Sequence, residues 1–205
     1  MKLYGHPMST CTRKVLTVLA EKGHEADFVV VDLTKGEQKH EAHVARQPFG
    51  RVPALDDGGF WLYESRAIAR YLDEKLAGPK LTPADLQDRA AMEQWISVEY
   101  SYFSPAVMRI VMELVFHKMA GQVPNMEIVR PARESVAQTL AIAEKTLSKQ
   151  DFFAGKAFSL ADISWMPYVQ YLFASEQGDL ITSRPGVKAW WERVSTRPSW
   201  KKVAG

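Results

Sequence analysis

The stretch that decides the fold runs from Gln47 to Tyr71 and reads QPFGRVPALDDGGFWLYESRAIARY. A residue before proline is held extended, because the proline ring disfavours helical backbone there, and Val52 precedes Pro53. The run DDGG is a β-turn signal between two apolar runs. Glu64 and Ser65 then open an apolar helical pattern. The stretch therefore predicts strand, turn, strand and helix in succession.

The same stretch offers groups that suit the capture of a small peptide. The extended Val52 can pair its N–H and C=O with another extended backbone. Glu64 and Ser65 place a carboxylate, a hydroxyl and free N–H groups at a helix start, where the helix dipole favours an anion. A carboxylate beside an anion site suits the amino acid end of a zwitterionic ligand.

The composition limits the class of protein. With 205 residues, 46% of them hydrophobic, the chain is long enough for one or two domains. The 26 basic and 24 acidic residues give a formal charge of +2, without global bias toward nucleic acid or membrane. One cysteine, Cys11, excludes an intramolecular disulfide and agrees with a reducing compartment. No secretory signal pattern or long apolar run is found, so we expect a soluble, cytoplasmic protein.

Strand and helix patterns alternate in the first part of the chain, and only helical patterns follow. Strands are predicted at Lys2–Tyr4, Phe28–Leu33, Val52–Leu55 and Trp61–Tyr63, and helices at Cys11–Leu19 and Ser65–Lys75. The short, β-branched run at Phe28–Leu33 is typical of a buried central strand. The order predicts a thioredoxin-like α/β domain over residues 1–76. A linker at 77–84 and an all-helical domain at 85–205 follow.

The helical half carries two further local signals. Its helices are predicted at 86–119, 128–147, 160–173 and 187–196. Pro105 and Pro167 fall inside two of them and predict kinks or breaks. The sequence from Ser159 to Asp162 predicts a capping box, in which the serine hydroxyl and the aspartate carboxylate satisfy each other's backbone N–H groups.

Several segments carry a resemblance to a known family. The 47–71 stretch, GHPMSTCTRKVL at 5–16 and GKAFSLADISWMPYVQYL at 155–172 resemble segments of the phi-class glutathione S-transferases. The likeness extends over nearly the whole chain. It implies a cytosolic homodimer that conjugates glutathione to small apolar electrophiles, with no cofactor beyond glutathione as cosubstrate and no metal.

The resemblance places the catalytic serine at Ser9, just ahead of the predicted helix at Cys11–Leu19. Two alternatives stay open. Cys11 could be the reactive thiol, as in the cysteine-bearing transferases, although it lies inside the first helical turn. Tyr4 could act as in the tyrosine enzymes, although a packed aromatic is the ordinary expectation in a strand. Ser9 could also serve only as a helix cap.

The resemblance also implies which residues hold glutathione. Gln38 and Lys39 would bind the glycine carboxylate, with Gln38 standing where the family has histidine. Arg51 stands where the family usually has Gln or Lys, and its longer, charged fork can change how it docks. Glu64 and Ser65 would hold the γ-glutamyl end. The whole predicted site comprises Met8, Ser9, Gln38, Lys39, Arg51, Val52, a cis Pro53, Glu64 and Ser65.

Three further features have an ordinary structural explanation beside a functional one. An aromatic-rich run could bind the electrophile or form the core of the helical domain; its members are Tyr100, Phe103, Val107 and Phe116. Phe49 could project into the partner subunit of the dimer or pack beneath its own loop. His40 and His43 form a charged-loop pair with no third ligand nearby, so we predict no metal site.

Two other functions remain compatible with the sequence. One is a glutathione-dependent peroxidase or thiol transferase, and the other is a non-catalytic ligand-binding protein of the same fold. Conjugation, disulfide-reduction and hydroperoxide assays separate these possibilities.

Overall fold

The computed structural model describes residues 1–204, and the chain divides into two compact units. The first unit comprises Met1–Leu81 and the segment from Pro198 onward; the second comprises Thr82–Arg197. Within the described residues, no helix is both long and apolar enough to cross a membrane. The domain borders predicted from the sequence remain a proposal.

The first unit combines a four-stranded sheet with helices. Its elements are β1 (Lys2–Gly5), α1 (Thr10–Glu21), β2 (Asp27–Val30), a 3-10 turn (Glu37–Lys39), α2 (Glu41–Val44), β3 (Ala54–Asp57), β4 (Phe60–Tyr63) and α3 (Ser65–Lys75). The strand order is β2-β1-β3-β4, with β1 and β2 parallel and the other pairs antiparallel. The predicted α/β class and order of elements are confirmed.

The position of β2 corrects the sequence prediction. We expected a buried central strand at Phe28–Leu33, but β2 is an edge strand and Val30 is 55% exposed. β1 and β3 are the central strands instead. Valine suits any pleated, half-buried surface, so a β-branched run predicts a strand without predicting its place in the sheet.

The strand register gathers three chain segments at one end of the sheet. Tyr4 near the end of β1 pairs with Ala54 at the start of β3, and Ala54 pairs with Tyr63 at the end of β4. The loop after β1, the residues before β3 and the turn after β4 therefore meet. We call this the loop end of the sheet, formed by residues 6–9, 51–53 and 64–65.

The second unit is all helical, as predicted. Its elements are α4 (Leu86–Val98), a π-helical segment (Glu99–Phe103), α5 (Ser104–Val111), a second π segment (Met112–His117), α6 (Met126–Leu147), α7 (Leu160–Ala174), α8 (Asp179–Thr182) and α9 (Pro185–Ser195). A last helix, α10 (Pro198–Ala204), packs on α1 of the first unit.

The two prolines behave differently from each other. Pro105 lies at the start of α5, directly after a π segment, so helical regularity does change there. Pro167 lies inside α7, which runs through it without a break. Of the predicted kink or break at Pro167, the break is wrong, because α7 is buried over most of its length and tertiary packing holds the helix. The kink stays a prediction.

The predicted capping box at the start of α7 is confirmed. Asp162 is completely buried and accepts hydrogen bonds from the N–H groups of Phe153 (3.0 Å) and Ser159 (2.9 Å). Its carboxylate also accepts from the Trp190 indole N–H at 2.8 Å. Burial raises the pKa of Asp162, and these hydrogen bonds act in the opposite direction. Asp162 thus links the loop at Phe153, the start of α7 and α9.

Candidate functional site

The loop after β1 is held in place by its own side chains. The Met8 N–H donates to His6 Nδ1 (3.2 Å), and the His6 N–H donates to the Thr12 hydroxyl (3.3 Å). The Arg13 guanidinium donates to the Pro7 carbonyl (2.8 Å). A Cβ at Gly5 would lie 2.6 Å from the Thr12 methyl group, so glycine is required there. These contacts hold the backbone of the loop that leads to Ser9.

Ser9 is the N-cap of α1. Its Oγ accepts a hydrogen bond from the Thr12 N–H at 3.3 Å. Within residues 1–204 no acceptor takes the hydrogen of this partly exposed hydroxyl. Capping uses a lone pair of the oxygen, whereas donation to a ligand uses its hydrogen. Ser9 can therefore cap α1 and donate a hydrogen bond to a ligand at the same time.

The turn that carries Gln38 and Lys39 is fastened to the end of β2. The Glu37 carboxylate accepts from the Asp32 N–H (2.7 Å), and the Glu37 N–H donates to the Asp32 carbonyl (3.0 Å). Hydrogen bonds from Thr34, opposed by some desolvation, hold the pKa of Asp32 at about 2. The Asp32 carboxylate is thus charged at neutral pH and stabilises this turn.

Gln38 and Lys39 lie beside the segment before β3. The Lys39 ammonium donates to the Phe49 carbonyl at 3.3 Å, and a Cβ at Gly50 would lie 2.9 Å from both Lys39 Nζ and the Gln38 carbonyl. Gln38 Oε1 is buried and has no hydrogen-bond partner within residues 1–204. The exposed Lys39 ammonium gives this corner a cation, and of the Gln38 amide only the NH2 group can donate to an anion, since Oε1 accepts.

Arg51, Val52 and Pro53 lead into β3 with different exposures. The Arg51 side chain is exposed, Val52 is half-buried and Pro53 is buried. The Val52–Pro53 peptide is cis, as the resemblance implied. β3 begins at Ala54, so the strand predicted from Val52 starts two residues too early, and Val52 lies in a bend ahead of β3.

The start of α3 has unusual backbone and an unsatisfied side chain. Glu64 is the N-cap with φ of 71°, a left-handed conformation that is uncommon for a non-glycine residue, and its carboxylate makes no capping bond. The Ser65 hydroxyl is buried and has no partner among residues 1–204. Backbone strain and orphaned buried polar atoms concentrate at functional sites, so this pair favours a ligand-binding role.

The two alternatives to Ser9 are placed differently. Cys11 is half-buried within the first turn of α1. The Tyr4 ring lies 5.5 Å from the Trp61 ring, and the Arg46 guanidinium lies 4.6 Å from the Tyr4 centroid. Tyr4 is therefore a packed aromatic of the sheet, as expected for a strand residue.

Phe49 is largely exposed rather than packed beneath its loop. Its side chain is 65% exposed and touches the Tyr63 ring edge-on at 6.0 Å. Neighbouring aromatic rings of β4 are also exposed, with Phe60 at 52% and Trp61 at 37%. Exposed apolar groups of this density favour an interaction surface.

The four residues predicted to face the electrophile divide into two pairs. Phe103 and Val107 are completely buried in the helical unit, with the Phe103 ring stacked on Trp165 at 4.2 Å. Tyr100 is 62% exposed, and the partly exposed Phe116 lies 5.8 Å from the Tyr171 ring. Core packing thus accounts for the first pair, because their side chains are not accessible to a ligand.

Sequence reasoning overlooked several residues that shape this site. His6, Thr12 and Arg13 organise the Ser9 loop, and all three lie in the 5–16 segment that carries the resemblance. His43 and Gln47 contact the Arg51 backbone; the sequence suggested His43 only as a weak metal ligand and gave no signal for this contact. Within residues 1–204, no three His, Cys, Asp or Glu residues form a group that could hold a metal ion.

Both halves of the chain match known domain families. Residues 1–74 match the model of the glutathione S-transferase N-terminal domain, and residues 103–198 match that of the C-terminal domain. Glutathione S-transferase F12 of Arabidopsis thaliana is 38% identical over 99% of this chain and 96% of its own length.

Solved structures show the same similarity. Glutathione transferase F7 from Populus trichocarpa superposes with a TM-score of 0.94 at 41% identity, over 99% of this chain and 97% of that one. Glutathione S-transferase I from maize, in complex with an atrazine glutathione conjugate, gives a TM-score of 0.91 at 35% identity, over 99% and 95% of the two chains.

Proposed function

Because the chain belongs to the phi class of the glutathione S-transferases, enzymes with glutathione as cosubstrate, we propose that Ser9 is its catalytic residue. The Ser9 hydroxyl donates a hydrogen bond to the glutathione thiolate, which attacks a small apolar electrophile. One observation carries this proposal: the hydroxyl caps α1 through its oxygen and keeps its hydrogen available at a helix N-terminus.

The magnitudes are adequate for this role. A free thiol with a pKa of about 8.5 is only about 3% ionised at pH 7. Lowering that pKa by about two units requires roughly 2.7 kcal/mol of preference for the anion. A hydrogen bond to a charged group supplies roughly 1.5–3 kcal/mol. A helix N-terminus adds about 0.3–1 kcal/mol, so one hydroxyl in this position is sufficient.

The reaction needs no proton from Ser9. The thiolate sulfur donates an electron pair to the electrophilic carbon and a carbon–sulfur bond forms. In a substitution, the leaving group departs with the electron pair of the broken bond. In an addition, solvent protonates the neighbouring atom. Ser9 keeps its hydrogen throughout and stabilises the sulfur charge before attack.

The remaining residues of the proposed glutathione site fall into groups according to the part of glutathione that each binds. Lys39, with Gln38, binds the glycine carboxylate, and Arg51 can add a second cation near it. Glu64 and Ser65 bind the γ-glutamyl amino acid end, where the strained N-cap and the orphaned hydroxyl support the assignment. Met8 and Pro53 line the loop end, and Val52 pairs through its backbone.

The proposed second substrate is a small apolar electrophile. The maize relative was solved with a glutathione conjugate of atrazine, which supports this class of substrate. In the helical unit, Tyr100 and Phe116 are the predicted contact residues that keep accessible side chains.

We also propose that the enzyme is a cytoplasmic homodimer in which Phe49 anchors the partner subunit. The exposure of the Phe49 ring beside the exposed rings of β4 supports the anchor.

We also propose domain borders at residues 76 and 85. Gly78 and Pro79 lie in the intervening segment, where composition favours a linker.

An assay panel on purified wild-type protein, Ser9→Ala and Cys11→Ala tests the catalytic proposal. We expect conjugation of a chloro-nitroaromatic compound to fall about 10- to 100-fold in Ser9→Ala, because a hydrogen bond to a charged atom is lost. Glutathione affinity should stay within a few-fold, and Cys11→Ala, the matched control, should remain active.

The opposite pattern, an active serine variant and a dead cysteine variant, overturns the proposal. Reduction of a mixed disulfide or an organic hydroperoxide faster than conjugation would instead identify a thiol transferase or peroxidase. Circular dichroism of Ser9→Ala separates lost catalysis from the loss of the helix cap, which costs about 1 kcal/mol.

A further inference from the structure

We propose that His43 is a positioning residue for glutathione binding: its imidazole N–H holds the Arg51 carbonyl and thereby directs the Val52 N–H toward the ligand. The inference rests on the proposed function, because the ligand of Val52 is taken to be the extended backbone of glutathione.

The contact between His43 and Arg51 is short and partly buried. His43 Nε2 lies 2.6 Å from the Arg51 carbonyl oxygen, and the His43 residue is only 4% exposed. A carbonyl oxygen only accepts hydrogen bonds, so the hydrogen is assigned to Nε2. The other ring nitrogen, Nδ1, is buried without a hydrogen-bond partner among residues 1–204. The carbonyl of Arg51 is thus the group that this imidazole serves.

Peptide planarity transmits the contact to Val52. The Arg51 carbonyl and the Val52 N–H belong to one peptide group, which is planar. Val52–Pro53 is the cis peptide in the described chain, so the Arg51–Val52 peptide is trans and its C=O and N–H point in opposite directions. The hydrogen bond from His43 therefore fixes the direction of the Val52 N–H.

The Val52 N–H is available to a ligand. Within residues 1–204 no atom accepts a hydrogen bond from it. A hydrogen bond to the carbonyl also polarises the peptide group and strengthens its N–H as a donor. His43 thus both orients this N–H and makes it a better partner for an extended backbone.

Gln47 holds the peptide between Gly50 and Arg51, one peptide before the one that His43 holds. Its Oε1 accepts from the Arg51 N–H at 3.0 Å, and its own N–H donates to the His43 carbonyl at 2.9 Å. Gln47 is 1% exposed. Two buried polar side chains thus hold the backbone of Arg51, whose own side chain is exposed. Only His43 acts on the peptide that contains the Val52 N–H.

Three variants test the inference. His43→Phe keeps an aromatic ring but removes the donor, whereas the amide nitrogen of His43→Gln can replace Nε2. His40→Ala is the matched control, because His40 is an exposed histidine of the same segment whose side chain makes no capping bond. We expect His43→Phe to raise the glutathione KM about five- to tenfold, the effect of one hydrogen bond, with kcat at saturating glutathione within twofold. His43→Gln and His40→Ala should stay within twofold of wild type.

The outcomes are distinguishable. Equal glutathione KM in His43→Phe and wild type, equal weakening in His43→Phe and His43→Gln, or a fall in kcat alone overturns the inference. A wild-type protein that does not bind glutathione in calorimetry overturns the proposed function instead. If His43→Phe does not fold, His43→Met takes its place. The amide signal of Val52 in nuclear magnetic resonance spectra of the ligand-free protein should also shift in His43→Phe and not in His40→Ala; an unchanged signal contradicts the inference.

Discussion

The buried carboxylate of Asp162 in the helical unit and three buried polar atoms of the first unit differ in their hydrogen bonding. Asp162 is completely buried, and its carboxylate accepts from Phe153, Ser159 and Trp190. In the first unit, Ser65 Oγ, Gln38 Oε1 and His43 Nδ1 are buried without a partner. The fourth such atom in the described chain, one oxygen of Glu99, lies in the helical unit, and its residue has another interaction.

The satisfied carboxylate of Asp162 holds the helical unit together, whereas the unsatisfied Ser65 hydroxyl lies where we propose that glutathione binds. An unsatisfied buried polar group costs about 1–3 kcal/mol, so folding alone does not favour keeping one. The unsatisfied atoms of the first unit occur in or beside segments that the sequence predicted to bind glutathione. Aromatic rings differ in the same way, since Phe103 is stacked on Trp165 whereas Phe49 is 65% exposed.

Asp162→Ala should give the largest effect. Removing the carboxylate leaves the Phe153 and Ser159 N–H groups and the Trp190 indole buried without acceptors. We expect a loss of about 4 kcal/mol or more in the free energy of unfolding, measured by urea denaturation. Asp162→Asn, which keeps one acceptor oxygen, should lose less. A wild-type midpoint in Asp162→Ala would show that these contacts do not hold the helical unit.

Phe49→Ser should weaken the homodimer by at least about 2 kcal/mol, if the exposed ring is a buried interface anchor. Its exposure in the single chain then reflects the missing partner surface. Sedimentation equilibrium on wild type and variant measures the effect, with Phe49→Leu as a conservative control. A variant that stays dimeric at low micromolar concentration and loses only thermal stability would mean that Phe49 serves its own loop.

Ser65→Ala should give the smallest effect and the sharpest contrast. The hydroxyl is buried and has no partner in the described chain, so its removal should not lower the free energy of unfolding and should raise it by up to about 1–3 kcal/mol. The glutathione KM should rise by the equivalent of about 1–2 kcal/mol. Ser159 caps α7 and lies outside the proposed site, so Ser159→Ala should lose about 1 kcal/mol of stability without a change in the glutathione KM. Similar behaviour of the two variants would break the comparison.

Local chemistry made much of this structure predictable. The turn at DDGG, the helix start at Ser65 and the capping box at Ser159 each depend on residues within a few positions of one another. The candidate site residues were likewise predicted from short local motifs, together with the resemblance to the family. Burial in the helical unit was less predictable, because a run such as Tyr100 to Phe116 can face a ligand or a core with the same composition.

The sequence by itself determined the order of strands and helices, the change from α/β to all-helical structure and the family to which the chain belongs. Tertiary structure alone decided that β2 lies at the sheet edge and that α7 continues through Pro167. It also decided that Glu64 adopts a left-handed conformation and that His43 contacts the Arg51 carbonyl. The physical reason is range: caps, turns and periodicity act between neighbours in the chain, whereas strand order, burial and side-chain partners depend on residues that only the completed fold brings together.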